Sequence, residues 1–437
     1  MSISKQDRSI IWHPFTQEKI SDLPIAIKKA KGVYLIDELG NSYLDLISSW
    51  WVNLHGHAHP YIAEAIYKQA KKLEHVIFAG FTHEPAVNLC KMLTAMLPSE
   101  LSRFFFSDNG STAVEVALKI SYQYWWNKGE NRTIFVSFEG GYHGDTFGAM
   151  SVGKSSGFFM PFQKLFFEVY NIPFPYSWQD DGDVEEKELQ SLQILTEYLE
   201  KNHKNIVALI TEPLIQGAKG MRVCRTKYLT AVVNLVKSYN ILVIFDEVMT
   251  GFYRTGSAFA FEQIQNIPDV VCLSKGLTGG FMPLALTVTT NDIYEAFLSE
   301  DINSAFLHGH SYTANPLSCA AAIASLELLQ KIETRNAIVE INMTHRECLN
   351  NLVNNYTYIY EPRIIGTIAA FNLRYLDGDN YQKIQILKKK FLDQGLLLRP
   401  LGKTIYLLPP YCITIRELKD AYVKIEKIVK DIMEVDK

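Results

Sequence analysis

The sequence predicts an α/β protein built on a mostly parallel sheet with crossover helices, followed by a smaller α/β domain. Three observations carry that expectation. Short apolar runs alternate with helix-like stretches from about residue 100 to 290, the pattern of strands joined by crossover helices. From about residue 330 the pattern changes to a helix, strands and a final amphipathic helix, Ile415 to Met433. Two apolar runs, Ile241 to Phe245 and Val270 to Leu273, are followed closely by Asp246 and Lys275. As parallel neighbours they would set both side chains at the carboxyl edge of one sheet, where open α/β sheets bind ligands.

Composition narrows the class. A chain of 437 residues exceeds what one hydrophobic core usually supports, so two domains are expected. The net charge of −4 is too mild to imply a nucleic-acid or membrane partner. Met1 to Arg8 is polar and lacks an apolar signal core, and no stretch is long and apolar enough to span a bilayer. The six cysteines are scattered without paired metal-type spacing, a usage that suits a reducing cytoplasm.

Taken in order, the chain opens with an extended aromatic segment around Trp12-His13-Pro14-Phe15, where the proline breaks any helix. The runs 32–37 and 42–46 flank Leu39-Gly40-Asn41 and read as a hairpin. The adjacent Trp50 and Trp51 read as core packing, because aromatics carry so much buried area. His55, His57 and His59 alternate as metal ligands on a strand would, but Gly56 and Pro60 favour a loop, so no metal is expected. Ala63 to Leu73 has helical periodicity. Phe104 to Phe106 is a strand and Ala113 to Trp126 a helix, which puts Gly110, Ser111 and Thr112 at a helix N-terminus. Free amides there suit an anion, although plain capping uses the same residues.

Thr133 to Phe138 is a strand, and the glycines of the loop after it let Tyr142 approach a ligand closely. Pro161 to Asp183 reads as an irregular excursion. Ile206 to Ile210 and Ala285 to Thr290 are further strands, 306–316 a polar loop and Ser318 to Ile332 a long helix. Arg399 is either an ordinary surface charge or a planar fork for a substrate carboxylate.

Lys275 taken alone reads as a strand-end lysine reaching solvent, and Asp246 at the end of the neighbouring run gives it a second, chemical reading. Desolvation lowers a lysine pKa and yields an amine able to condense with an aldehyde. An acid for a pyridinium nitrogen and a lysine for an aldehyde is the pairing that pyridoxal phosphate needs.

Two motifs in this order, Asp-Glu-Val-Met-Thr-Gly-Phe-Tyr-Arg-Thr-Gly at 246–256 and Ser-Lys-Gly-Leu-Thr-Gly-Gly at 274–280, resemble class III, fold type I, pyridoxal-phosphate aminotransferases. Trp12 to Thr16, Ser48 to Trp51, Gly141 to Met150, His308-Gly309 and Arg399 to Tyr411 extend the resemblance over essentially the whole chain. It implies a large cofactor-binding domain at 51–329 and a small domain at 330–437, which the segment 1–50 joins. It also implies that Lys275 carries the cofactor and then shuttles a proton, that Asp246 pairs with the pyridine nitrogen and that Tyr142 covers the ring. Gly110 and Ser111 would hold the phosphate, with Ser311 reaching it from the other subunit of a homodimer. Phe15, Trp50, Tyr142, Gly309 and Arg399 would line the substrate site around Lys275. Phe15 stands where well-known relatives carry tyrosine, Ser311 where they often carry threonine and His310 where some carry proline. The tryptophan pair and the Arg399–Tyr411 stretch favour the branch that converts 8-amino-7-oxononanoate to 7,8-diaminononanoate, with S-adenosylmethionine or lysine as amino donor. Another class III amine or ω-amino acid transaminase is the near alternative. A metal-dependent hydrolase on His55, His57, His59 and His143 is the alternative from a different class.

Overall fold

In the computed structural model, which describes residues 2–378 and 381–435, the apolar runs become strands of four sheets. In chain order, β1 (Ile27–Lys31), β2 (Tyr34–Asp37) and β3 (Ser42–Asp45) form an antiparallel meander near the N-terminus. There follow β4 (Leu101–Ser107), β5 (Ile134–Phe138), β6 (Val169–Ile172) and β7 (Ile206–Thr211), then a two-stranded hairpin of β8 (Ile215–Gln216) and β9 (Arg222–Val223). Next come β10 (Leu242–Asp246), β11 (Val270–Leu273) and β12 (Ala285–Thr290). The chain closes with β13 (Ile359–Ile365), β14 (Ile368–Leu373), β15 (Leu396–Leu397) and β16 (Thr404–Leu407).

The large sheet has the order β4-β12-β11-β10-β7-β5-β6. Five neighbouring strands, β11 to β6, are parallel, and β12 runs against both its neighbours. Because β4 is antiparallel to β12, it points the same way as β11. The carboxyl ends of β4, β5, β7, β10 and β11 therefore emerge along one edge, and that edge carries the site. Every residue of β5, β7 and β10 is buried, as expected of strands covered on both faces. Alternation still sorts the faces. Leu242 and Ile244 pack with Ala113, Val116 and Ala117 of the helix Gly110–Asn127, while Val243 and Phe245 pack with Leu229 and Val233 of the helix Thr226–Ser238.

The hairpin read at residues 32–46 is present as β2 and β3, with the antiparallel β1 added before it. Its last strand is joined in parallel by β15 from far along the chain, Leu396 opposite Leu44. The other C-terminal strands form an antiparallel sheet, β13-β14-β16, against which the helix Ile332–Asn355 packs; that helix also contacts the final helix, Ile415–Val435. The excursion expected at 161–183 needs correcting, since it contains β6, the edge strand of the large sheet. Four residues between Glu168 and Pro173 are too few for their periodicity to stand out; pairing with β5 supplies the order that the sequence alone does not. The polar N-terminus likewise forms a helix, Ile3–Ile10, with no buried residue.

Candidate active site

Asp246 is the last residue of β10 and is buried. Its Oδ2 lies 2.8 Å from His143 Nδ1, and its Oδ1 accepts the Val248 amide at 3.1 Å. One strand over, β11 ends at Leu273, and Lys275 opens a 3-10 turn with a positive φ of 46°. Half-buried, Lys275 has no hydrogen bond or ion pair among the described residues; its Nζ sits 4.6 Å from the ring centre of Trp51. Burial lowers its pKa, while Asp246 and Glu212 pull it the other way. Glu212 follows β7 and accepts the amides of Gly217 and Tyr142 at 2.9 and 3.2 Å. Burial, reinforced by Asp246 and opposed by His143, pushes its carboxyl up to about 7.

These groups line one cavity of about 440 Å³ together with Trp51, Asn109, Gly110, Ser111, Tyr142 and the loop 143–146. The helix Gly110–Asn127 points its N-terminus at this space, capped by the Asn109 side chain, which accepts the Thr112 amide. Gly110 is required here, because a Cβ would come within 2.6 Å of Val248. Gly144 has a φ of 120°, and a Cβ on it would lie 2.4 Å from Ser111 Oγ, so the loop lies flat on the helix end. Ser111 Oγ accepts the Thr146 amide at 2.9 Å. The Tyr142 ring stacks on Phe159 at 6.1 Å, its hydroxyl donates to Asp145 at 3.0 Å, and burial raises its pKa.

A chain of aromatic contacts leads outward from Tyr142. Phe158 meets it edge-on at 6.2 Å, Phe15 meets Phe158 at 6.3 Å, and Trp50 meets Phe15 at 5.4 Å. Arg399 ends the series, its guanidinium 4.1 Å over the Trp50 ring. Burial lowers its pKa, and it has no hydrogen bond or ion pair among the described residues. The adjacent tryptophans thus divide. Trp51 is buried, donating to the Tyr406 hydroxyl at 3.1 Å, while Trp50 is 39% exposed. Four consecutive residues with positive φ, Ser48 to Trp51, make the separation. A left-handed residue with a Cβ costs about 1–2 kcal/mol, so the turn persists only where its surroundings fix it.

The structure brings together Lys275, Asp246, Tyr142, Gly110 and Ser111 in the cavity and Phe15, Trp50 and Arg399 beyond it. Gly309 and Ser311 lie exposed on the 306–315 loop and do not line this chain's own cavity. The histidines behave separately: His55 meets Ser325 at 3.0 Å, His57 meets Asp45 at 2.9 Å and His143 serves Asp246. No group of three His, Cys, Asp or Glu among the described residues could hold a metal ion. Glu212 was missed as a site residue. Its signal was an acid one residue past the apolar run Ile206 to Ile210, close to the pattern that singled out Asp246.

An unpaired lysine, a buried carboxylate backed by a histidine, and a helix N-terminus with no room for a Cβ fit an aldehyde, a ring nitrogen and a phosphate respectively. Fold and site together define a pyridoxal-phosphate-dependent transferase of the α/β type. A family model described as aminotransferase class-III matches residues 15–429, and the chain belongs to that family, whose members work with pyridoxal 5′-phosphate. It is 49% identical to the adenosylmethionine-8-amino-7-oxononanoate aminotransferase of Synechococcus elongatus, over 97% of this chain and 99% of that one. Identity to the Helicobacter pylori protein of the same name is 39%, over 99% and 98%. The crystal structure of the Methanocaldococcus jannaschii protein of that name superposes with a TM-score of 0.91 at 36% identity, covering 98% of each chain. An amine transaminase from an uncultivated Pseudomonas species, in its PLP-bound form, gives 0.90 at 29% identity over 97% and 98%.

Proposed function

We propose that this enzyme moves an amino group onto the ketone of 8-amino-7-oxononanoate, giving 7,8-diaminononanoate for biotin synthesis, with S-adenosylmethionine as donor. The observation that carries the acceptor is Arg399, an unpaired and partly desolvated guanidinium lying on Trp50. A planar fork in that state suits a carboxylate at the far end of an apolar chain. The names of the Synechococcus, Helicobacter and Methanocaldococcus relatives support the same acceptor and donor.

When bound, the cofactor supplies an aldehyde that carries the amino group and a ring that takes up an electron pair from the substrate carbon. Lys275 Nζ would hold the aldehyde and, when free, would take the proton from the reacting carbon and return it. The lowered pKa of Lys275 leaves more of this amine neutral and able to accept. Asp246, oriented by His143, would pair with the ring nitrogen. Tyr142 would cover the ring, and the amides at Gly110 and Ser111 would hold the phosphate.

The working unit is a homodimer in which Ser311 and Gly309 complete the partner's site. Two large apolar hollows of about 800 and 770 Å³, both bordered by Ala305 and Phe306, support this, since that much apolar surface suits burial by a second copy. Six free cysteines support a cytoplasmic location. The purified enzyme, given 8-amino-7-oxononanoate and each donor in turn, should make diaminononanoate with S-adenosylmethionine. Product from lysine alone would reassign the donor, and no product from either would reassign the acceptor. Sedimentation should find a dimer, and an active monomer would refute the shared site.

A further inference from the structure

The turn that separates the two tryptophans is held from beneath by one carboxylate. Asp45, the last residue of β3, is fully buried. Its Oδ1 accepts the amides of Ile47 and Ser49 at 3.2 and 3.0 Å, and its Oδ2 accepts the Ser49 hydroxyl at 2.8 Å. The fourth donor is His57 Nε2, 2.9 Å from Oδ2. Asn53 fixes that direction, because its side-chain amide donates to His57 Nδ1 at 3.2 Å and leaves Nε2 to carry the proton. The far side of the turn is tied to the strand region after Arg399, where Ser48 Oγ donates to the Leu408 carbonyl at 2.8 Å and Leu408 donates to Leu46 at 2.7 Å.

We propose that Asp45 is a positioning residue for the substrate end of the site, holding the left-handed turn Ser48–Trp51 so that Trp50 lies under Arg399, while Trp51 keeps its own tie to Tyr406. Ser49 is the one residue of the four whose amide and hydroxyl both reach Asp45, and it directly precedes Trp50. A left-handed turn of non-glycine residues relaxes when its restraint goes, since each Cβ prefers the right-handed side. Relaxation would swing the Trp50 ring off the guanidinium and leave Asp246 and the helix N-terminus untouched. The effect should therefore fall on recognition of the carboxylate and spare the chemistry. The claim rests on the reading of Arg399 as the carboxylate partner, so its test includes one readout that does not.

Asp45→Asn keeps the shape and removes the charge. In the holoenzyme it should raise KM for 8-amino-7-oxononanoate about tenfold, the loss of one charge-assisted bond, with kcat falling less than about threefold. The visible absorbance of the bound cofactor should stay as in the wild type. Near-ultraviolet circular dichroism, which reports the tryptophan pair with no substrate present, should change. Adding Ser49→Gly to that variant removes the Cβ that disfavours the turn, and should recover most of the KM and of the dichroism. If Asp45→Asn fails to fold, Ser49→Ala loses only one of the four bonds and should raise KM about threefold. An unchanged KM, a fall confined to kcat, or loss of cofactor absorbance without rescue by glycine would overturn the proposal. Should the wild type make no diaminononanoate, the functional reading fails, and the dichroism with its glycine rescue alone decides the role of Asp45.

Discussion

The floor and the mouth of the site are built by opposite means. The floor stands on strand ends: Asp246, Lys275 and Glu212 follow three adjacent strands of one sheet, and both carboxylates have hydrogen-bond partners. The mouth stands on loops. Phe15 and Trp50 both have positive φ, Phe158 follows a left-handed glycine, and Arg399 has an aromatic face for company and no acid among the described residues. The floor is satisfied without substrate, except for its lysine. The mouth holds a guanidinium with no acid partner among the described residues. Chemistry common to a whole class can be rigid because its cofactor never changes, whereas recognition of one substrate needs a group left unpaired until that substrate arrives.

Breaking the floor should cost most. Lys275→Ala should fold and lose transamination by about a thousandfold or more, the scale of a lost acid–base group. Steady-state turnover near that of the wild type, without added amine, would refute its role. Asp246→Asn should lower kcat by about a hundredfold, roughly 3 kcal/mol of barrier, because it removes the charge that favours electron uptake by the ring. A change within twofold would show that the ring nitrogen finds its charge elsewhere.

Breaking the mouth should look different. Arg399→Gln should raise KM for 8-amino-7-oxononanoate about ten- to a hundredfold, the value of a hydrogen bond to a charged group, and leave kcat for a donor lacking a distal carboxylate nearly intact. Equal losses in both parameters for every substrate would place Arg399 with the floor.

The floor also titrates in a way that the mouth does not. Burial pushes Glu212 of the floor, and Glu247 behind it, which follows Asp246 and accepts the Phe261 amide at 3.0 Å, each up to about 7. Unfolded glutamate loses its proton near pH 4.3, so the folded chain holds the proton more tightly. Stability from these groups is complete below about pH 4.3, is lost as pH rises to about 7 and is flat beyond. Each pH unit inside that window costs at most about 1.4 kcal/mol per carboxyl. Urea unfolding at pH 5 and pH 8 should show a smaller decline in Glu247→Gln than in the wild type. An identical decline would mean that Glu247 is ionised in the fold.

The same contrast explains what the sequence revealed. Asp246 and Lys275 were legible because strands with both faces covered are runs of apolar residues; one charge past such a run reads as an ordinary strand end, and it was the two together, with the motifs around them, that pointed to chemistry. Gly110 and Ser111 were legible through the helix that they begin. Arg399 left two readings open and Trp50 read as core until the family resemblance set both at the substrate site, since no local pattern reports that a guanidinium will lie on a ring 349 positions away. Asp45 was invisible. It reads as an ordinary strand residue, and only the positive φ values that follow it reveal what it restrains. The strand β6 was lost for a related reason, because its order comes from its neighbour.

The smallest expected effect sharpens the comparison most, because it concerns a mouth residue that differs from well-known relatives. Phe15→Tyr adds one hydroxyl to a ring that is 52% exposed and edge-on to both Trp50 and Phe158. A neutral hydrogen bond is worth about 0.5–1.5 kcal/mol, or roughly two- to twelvefold in binding. The lower end applies here, since a half-exposed hydroxyl already bonds to water and gains little by changing partner. The aromatic faces that would hold a sulfonium by cation–π attraction, about 0.5–2 kcal/mol, are the same in both variants. KM for S-adenosylmethionine should therefore fall about two- to threefold, with kcat and the response to lysine unchanged. A fall of tenfold or more would mean that the hydroxyl meets a dry, oriented partner and that the mouth is organised as tightly as the floor. No change for S-adenosylmethionine together with a gain for lysine would instead show that position 15 selects between donors and that its phenylalanine disfavours the smaller one.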